Sequence, residues 1–194
     1  MAANDVILTL AAFLNAFWLF IPAYLPNSAA VIFGGGKKMD FGLTFFDGLR
    51  ILGDGKTWRG FFGGWLSGIF IGLIEILLSH PFDPHNHLGF GPFPMALMIV
   101  LVLPFSSVFG DVVGSFIKRR LGLHRGERAP ILDQYDFFIM TVIIMALAFP
   151  TWFYRNFIDG VRLWGFIILI IFTYFLQRAV NIVGYKMGKK KEPW

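Results

Sequence analysis

Long apolar runs, each near the length that crosses a lipid bilayer, dominate this chain. They fall at residues 6–25, 61–79, 93–117 (bent at Pro104), 137–153 and 163–183. A helix spanning the hydrocarbon core needs about 20 mostly apolar residues. No water there can satisfy exposed peptide groups, so lone strands and open sheets are excluded. The runs therefore predict an all-α integral membrane protein, multi-pass in the cell membrane, with about five transmembrane helices. Residues 1–194 read as one domain. Composition agrees: the chain is 56% hydrophobic and 15% charged, where a soluble domain is nearer about 25% charged. No Lys or Arg precedes the first run, which also exceeds a signal-peptide core of about 7–15 residues. It reads as a span and not as a cleaved leader. With no cysteine in the chain, disulfides and thiolate metal sites are excluded.

Loop charges predict the orientation. The 26–59 connection holds Lys37, Lys38, Arg50, Lys56 and Arg59, whereas 80–92 has no Lys or Arg. The 118–133 connection is rich in both, 154–162 has Arg155 and Arg162, and the tail has Lys186, Lys189, Lys190 and Lys191. The alternation places the N-terminus outside and the C-terminus in the cytoplasm, with two long cytoplasmic loops. The tail lysines read as a topology anchor or a contact to anionic membrane lipids. Topology thus explains the net charge of +5 before any nucleic acid is needed.

Gly60, Gly64, Gly68 and Gly72 recur on the second run as a small-residue ridge, which lets another helix approach closely. The ridge suits an internal contact or a homodimer. Trp18, Trp65, Trp152 and Trp164 lie towards span ends, where they read as interface anchors. His80, Asp83, His85 and His87 read as an ordinary outer loop despite their zinc-like composition. Ionisable groups inside spans are costly and usually face the bundle interior. Glu75 reads as interfacial or helix-pairing. Asp111, Asp136, Arg178 and Asn181 sit near the cytoplasmic ends of their helices, so the polar set lies at one depth. That pattern favours a cytoplasm-facing cavity over a continuous pore.

Two constellations carry chemistry. Asp111, Ser115 and Lys118 share one helical face by their spacing. Asp133 and Asp136 open the fourth helix, where they also suit the helix macrodipole. Three carboxylates around one cavity are suitable ligands for Mg²⁺, which takes a few carboxylates plus water and substrate phosphate. Lys118, Arg119, Arg120, Arg125 and Arg128 supply positive charge beside them. The first loop holds Gly34-Gly35-Gly36-Lys37-Lys38 and Gly53-Asp54-Gly55-Lys56-Thr57-Trp58-Arg59-Gly60. The second piece is not a P-loop, because Arg50 stands where the first glycine would fall and no strand precedes it. Its glycine amides with Lys56 and Thr57, at a helix start, still suit a phosphate.

G-D-x-x-x-S-x-x-K-R-x-x-G from Gly110, followed by P-x-x-D-Q-x-D from Pro130, resembles the signature of the CDP-diacylglycerol synthases (phosphatidate cytidylyltransferases). P-A-Y-L-P-N at Pro22, the glycine triplet at Gly34 and I-L-G-D-G-K-T at Ile51 resemble the archaeal branch, the CDP-archaeol synthases (CarS). The resemblance covers nearly the whole chain. Against the bacterial-type signature, Gly114 replaces a Glu and Gln134 an Arg, and Arg128, Ala129 and Pro130 stand where His-Gly-Gly would precede the acids. The resemblance implies a cytidylyltransferase that joins CTP to an isoprenoid ether phosphatidate, 2,3-bis-(O-geranylgeranyl)-sn-glycerol 1-phosphate, giving CDP-archaeol and pyrophosphate. The roles that follow are expectations. Asp111, Asp133 and Asp136 hold Mg²⁺, and Asp133, Asp136 and Lys118 act in catalysis. Gly53, Asp54, Gly55, Lys56 and Thr57 hold the CTP phosphates. Ser115, Lys118 and Arg119 bind nucleotide or lipid phosphate, and Arg178 or Asn181 meets the lipid headgroup. The competing reading is a transporter or channel for a phosphorylated metabolite. It would need polar groups along the full height of the bundle, and only Asn15 and Glu75 offer them.

Overall fold

The computed structural model describes residues 3–83, 89–124, 126–190 and 192–193. Helices form along every apolar run: α1 (Ala3–Phe33), α2 (Trp58–Ser79), α3 (Met95–Arg120), α4 (Leu132–Ala148), the short α5 (Pro150–Phe153) and α6 (Arg162–Lys186). Among the described residues no strand forms; the 34–57 loop has only the bridges Lys38–Thr57 and Thr44–Arg50. Four of the helices (α1, α2, α3 and α6) are each long and apolar enough to span, and α4 with the segment after it is a pair bent by 119°, a broken fifth span or a re-entrant loop. His85 and His87 of the 80–92 loop, and Arg125, lie outside the described residues.

Two spans differ from the sequence expectation. The first does not end at residue 25 but continues as helix to Phe33, through Pro22 and Pro26. Each proline removes one helical hydrogen bond. Tertiary contact repays the loss: Gly68 of α2 lies so close that a Cβ there would be 2.7 Å from the freed Pro22 carbonyl and 2.9 Å from the Pro26 ring. Ser107 of α3 donates to the Ala23 carbonyl at 2.6 Å. The fourth span begins earlier than expected, at Leu132, and breaks at Phe149. Pro150 cannot donate there, so the chain turns into α5 and a π-helical turn, Tyr154–Ile158. That turn drives Trp152, Phe153, Asn156 and Phe157 inward. Trp152 is therefore a core residue and not an interface anchor. It is 4% exposed, with its ring 5.6 Å from that of Phe157.

Helix α1 is the hub, packed along α2, α3 and α6, while α3 also packs along α4. The glycine ridge of α2 seats on α1 and α3. A Cβ at Gly64 would lie 2.6 Å from the Pro26 carbonyl, and one at Gly72 would lie 2.7 Å from Val100. The ridge is taken up by contacts within the chain. Glu75, three residues past Gly72, is buried as well. Aromatic rings fill the centre: Phe20 stacks on Phe138 at 4.9 Å and meets Phe157 edge-on at 5.5 Å. Such pairs are each worth about 0.5–1.5 kcal/mol beyond burial. Tyr24 and Thr173 share a buried hydroxyl–hydroxyl bond of 2.5 Å that ties α1 to α6.

Candidate active site

At one end of the bundle the 34–57 loop folds over α3, and its organiser is a residue the sequence reading passed over. Asp40, buried, accepts hydrogen bonds from the Arg50 guanidinium at 2.9 Å and from the amides of Gly42, Leu52 and Gly53 at 3.0–3.1 Å. Burial would raise its carboxyl, but Arg50 and the three amides outweigh that and hold it well below the usual carboxylate range. Arg120 clamps the loop to α3. It donates to the Arg50 carbonyl at 2.6 Å, pairs with Asp47 at 3.1 Å and lies 4.8 Å over the Phe45 ring. Asp54 pairs with Lys38 at 2.6 Å and with Arg50 at 3.1 Å, and these cations hold its carboxyl low. These pairs brace the turn. Thr57 caps α2, its hydroxyl accepting from the Gly60 amide at 3.2 Å.

The loop so held delivers Gly55 and Lys56 to a cavity of about 240 Å³. Asp111 and Lys118 reach it from α3, Asp133 and Asp136 from α4, Gln177 and Asn181 from α6, and Asn27 from α1. Lys56 pairs with Asp111 at 2.5 Å. Lys118 pairs with Asp133 at 2.7 Å and lies 4.0 Å from Asp136. Asp133 also accepts from the Ala129 amide at 2.7 Å. Helices α3 and α4 meet closely enough for this because Gly110 and Gly114 carry no side chain. A Cβ at Gly114 would lie 2.5 Å from the Asp136 Cβ. The Glu of the bacterial-type signature would occupy the space of Asp136 here.

A groove of about 220 Å³ continues from the cavity and shares Gly55, Lys56, Lys118 and Asp133 with it. Gly53, Asp54, Ser115 and Arg119 line this groove. Arg178 lies elsewhere, in a separate groove with Arg128, Gln134 and Tyr174. The structure thus separates Arg178 from Asn181. It also brings in two residues the sequence reading left out, Gln177 and the tail residue Lys190, whose ammonium donates to the Asn181 side-chain oxygen. A polar residue one turn before Asn181 was the available signal for Gln177; Lys190 had none.

Among the described residues no three carboxylate or histidine groups converge into a ready coordination set. Asp111 is engaged by Lys56 and Asp133 by Lys118. The donor chemistry nevertheless fits a hard divalent cation, with carboxylate oxygens on one cavity and ammonium groups beside them for phosphate.

Apolar helices closed around an acid-and-lysine cavity define an intramembrane protein built to handle phosphates. The CarS-like family model, described as CDP-archaeol synthase, matches residues 7–194. A CDP-archaeol synthase of Methanosarcina mazei is 47% identical over 180 residues, covering 90% of this chain and 99% of that protein. Its namesake in Pyrococcus horikoshii is 40% identical over 181 residues, covering 93% and 96%. A solved structure described as an intramembrane enzyme for archaeal membrane lipids biosynthesis superposes with a TM-score of 0.60 at 29% identity, covering 82% of this chain and 92% of that one. The chain belongs to the CDP-archaeol synthase family and is a multi-pass membrane enzyme, which sets aside the transporter reading.

Proposed function

We propose that the enzyme transfers the cytidylyl group of CTP to 2,3-bis-(O-geranylgeranyl)-sn-glycerol 1-phosphate, giving CDP-archaeol and pyrophosphate. The observation that carries this reading is the convergence of Lys56, Lys118, Asp111, Asp133 and Asp136 on one cavity at one end of the apolar bundle. Lys56 and Lys118 hold the triphosphate, helped by the Gly55 backbone at the start of α2. Ser115 and Arg119 in the adjoining groove hold the rest of the nucleotide or the incoming lipid phosphate. An oxygen of the lipid phosphate attacks the α-phosphorus of CTP, and the bond to the bridging oxygen of the β-phosphate breaks, releasing pyrophosphate. Proximity and charge stabilisation carry most of such a transfer. Asp111, Asp133 and Asp136 would hold Mg²⁺, which neutralises developing charge on the phosphates when bound. Asn181, in the cavity wall, would meet either phosphate, and the prenyl chains stay between helices in the bilayer. The cavity faces the cytoplasm, where CTP is made.

A nucleotide-by-lipid activity matrix on the purified protein, with and without Mg²⁺, tests the reaction. Pyrophosphate release is expected only with CTP, lipid phosphate and Mg²⁺ together. Asp136→Asn, with folding confirmed, is expected to abolish turnover, and full activity would remove Asp136 from the machinery.

A further inference from the structure

Lys190 lies past the end of α6, in the tail whose lysines the sequence assigns to the membrane surface. The structure sends it inward. Helix α6 stops at Lys186, and Gly188 takes a φ of +68°, a left-handed turn that glycine enters freely. The amides of Lys189 and Lys190 then both turn back onto the Gly184 carbonyl, at 2.9 and 3.1 Å. The Lys190 stem packs over Gly184, with its Cγ, Cδ and Cε 3.4–3.8 Å from where a Cβ would stand. The stem crosses that glycine, and its ammonium reaches Asn181 in the wall of the cavity. Beyond it, Glu192 lies beside Gly126 and lines the adjoining groove. The tail thus crosses from α6 to the 121–131 loop over the site.

The charges around the cavity make this placement meaningful. Lys56 and Lys118 each contact a carboxylate. The hydrogen-bond partner of Lys190 is instead a neutral amide oxygen. Burial pulls its ammonium below the ordinary lysine value, while the Asp111 carboxylate acts the other way. A half-buried ammonium held by a neutral amide is the one best placed to turn to an entering polyphosphate.

We propose that Lys190 is a third phosphate-binding ammonium of the cavity, carried in by the C-terminal tail to hold the CTP phosphates. The proposal rests on the reading of this cavity as the CTP site. Because the chain contains no cysteine, Lys190→Cys introduces a single thiol. The KM for CTP is expected to rise about tenfold or more, the scale of one charged hydrogen bond, with a smaller change in kcat. Labelling the folded variant with an aminoethyl thiosulfonate, which restores an ammonium, should bring the KM back down. A sulfonatoethyl reagent, which adds a negative charge, should raise it further. CTP should slow both labelling reactions. Lys189→Cys, on the exposed side of the tail, should show none of this. A Lys190→Cys enzyme with unchanged KM, or equal responses at 189 and 190, would overturn the proposal. Lys56→Ala run in parallel separates the two levels. If it weakens CTP binding while Lys190→Cys does not, the tail assignment alone falls. If neither variant weakens it, the reading of the cavity falls too.

Discussion

Gly114→Ala tests the placement of Asp136 with a single methyl group. The added Cβ would start 2.5 Å from the Asp136 Cβ and 2.8 Å from its carboxyl carbon. Ordinary contact between such carbons is about 3.5–4.0 Å, so one partner must give by about 1 Å. Helix α3 has little room to rotate instead, because a Cβ direction one turn away, at Gly110, already points at the Phe137 Cα of α4, 2.7 Å from where a Cβ would stand. The acid must move. Over-packing of this kind costs about 1–3 kcal/mol of stability, while a displacement of about 1 Å in a catalytic group can cost on the order of 10²-fold in rate. The expected result is a folded protein, somewhat less stable, with turnover down about a hundredfold. Pyrophosphate release at saturating CTP and lipid measures the rate; thermal unfolding in detergent measures stability. Gly68→Ala is the control, since its Cβ would meet Pro22 and Pro26 far from the acids. It should lower stability while the surviving enzyme turns over normally. A stable Gly114→Ala enzyme with wild-type turnover would refute the reasoning.

Lys56→Ala should weaken CTP binding measured by calorimetry, because it removes an ammonium from the cavity and leaves Asp111 unpaired. Asp40 should keep the 34–57 loop ordered at mildly acidic pH. Its carboxyl is held low in the folded state, so its contribution is complete above the unfolded value of about 3.9 and fades only as pH falls below that. Protection factors at the Leu52 and Gly53 amides, exchange corrected for its intrinsic pH dependence, should therefore be unchanged from pH 7 to about 4.5; a lower protection factor at pH 6 would contradict this. Trp152→Ala should cost about 3–5 kcal/mol of stability as a large core truncation, whereas an interface anchor would cost far less.

How much of this was legible in the sequence varied by element. The glycine ridge and the apolar runs were plain, because lipid makes burial and helix formation a matter of local composition. Asp111 and Lys118 were legible as a pair from helical spacing alone. The continuation of α1 was not, since Pro22 and Pro26 argue locally for a stop, and it is Gly68 and Ser107, far along the chain, that compensate. The break at Phe149 had a signal in Pro150, but apolar residues resume at Trp152 and Phe153, so the stretch read as one span. Asp40 looked like any loop acid; its importance lies in amides brought to it by the fold. Thr57, read as a phosphate donor, lines the cavity and also caps α2, and its place just before a helix was the available signal for the cap.

Helix α1 has a consequence for how the two substrates can meet. Its 31 residues rise about 46 Å, against about 30 Å of hydrocarbon. The surplus is the stretch with Asn27, Ala30 and Val31, which walls the cavity. One continuous rod therefore serves two solvents, oil along most of its length and water at its tip. Reagents of opposite solubility can be brought together at that junction without either leaving its own phase. Inserting one residue between Tyr24 and Ala30 would rotate the tip by about 100° against the shaft and uncouple the two.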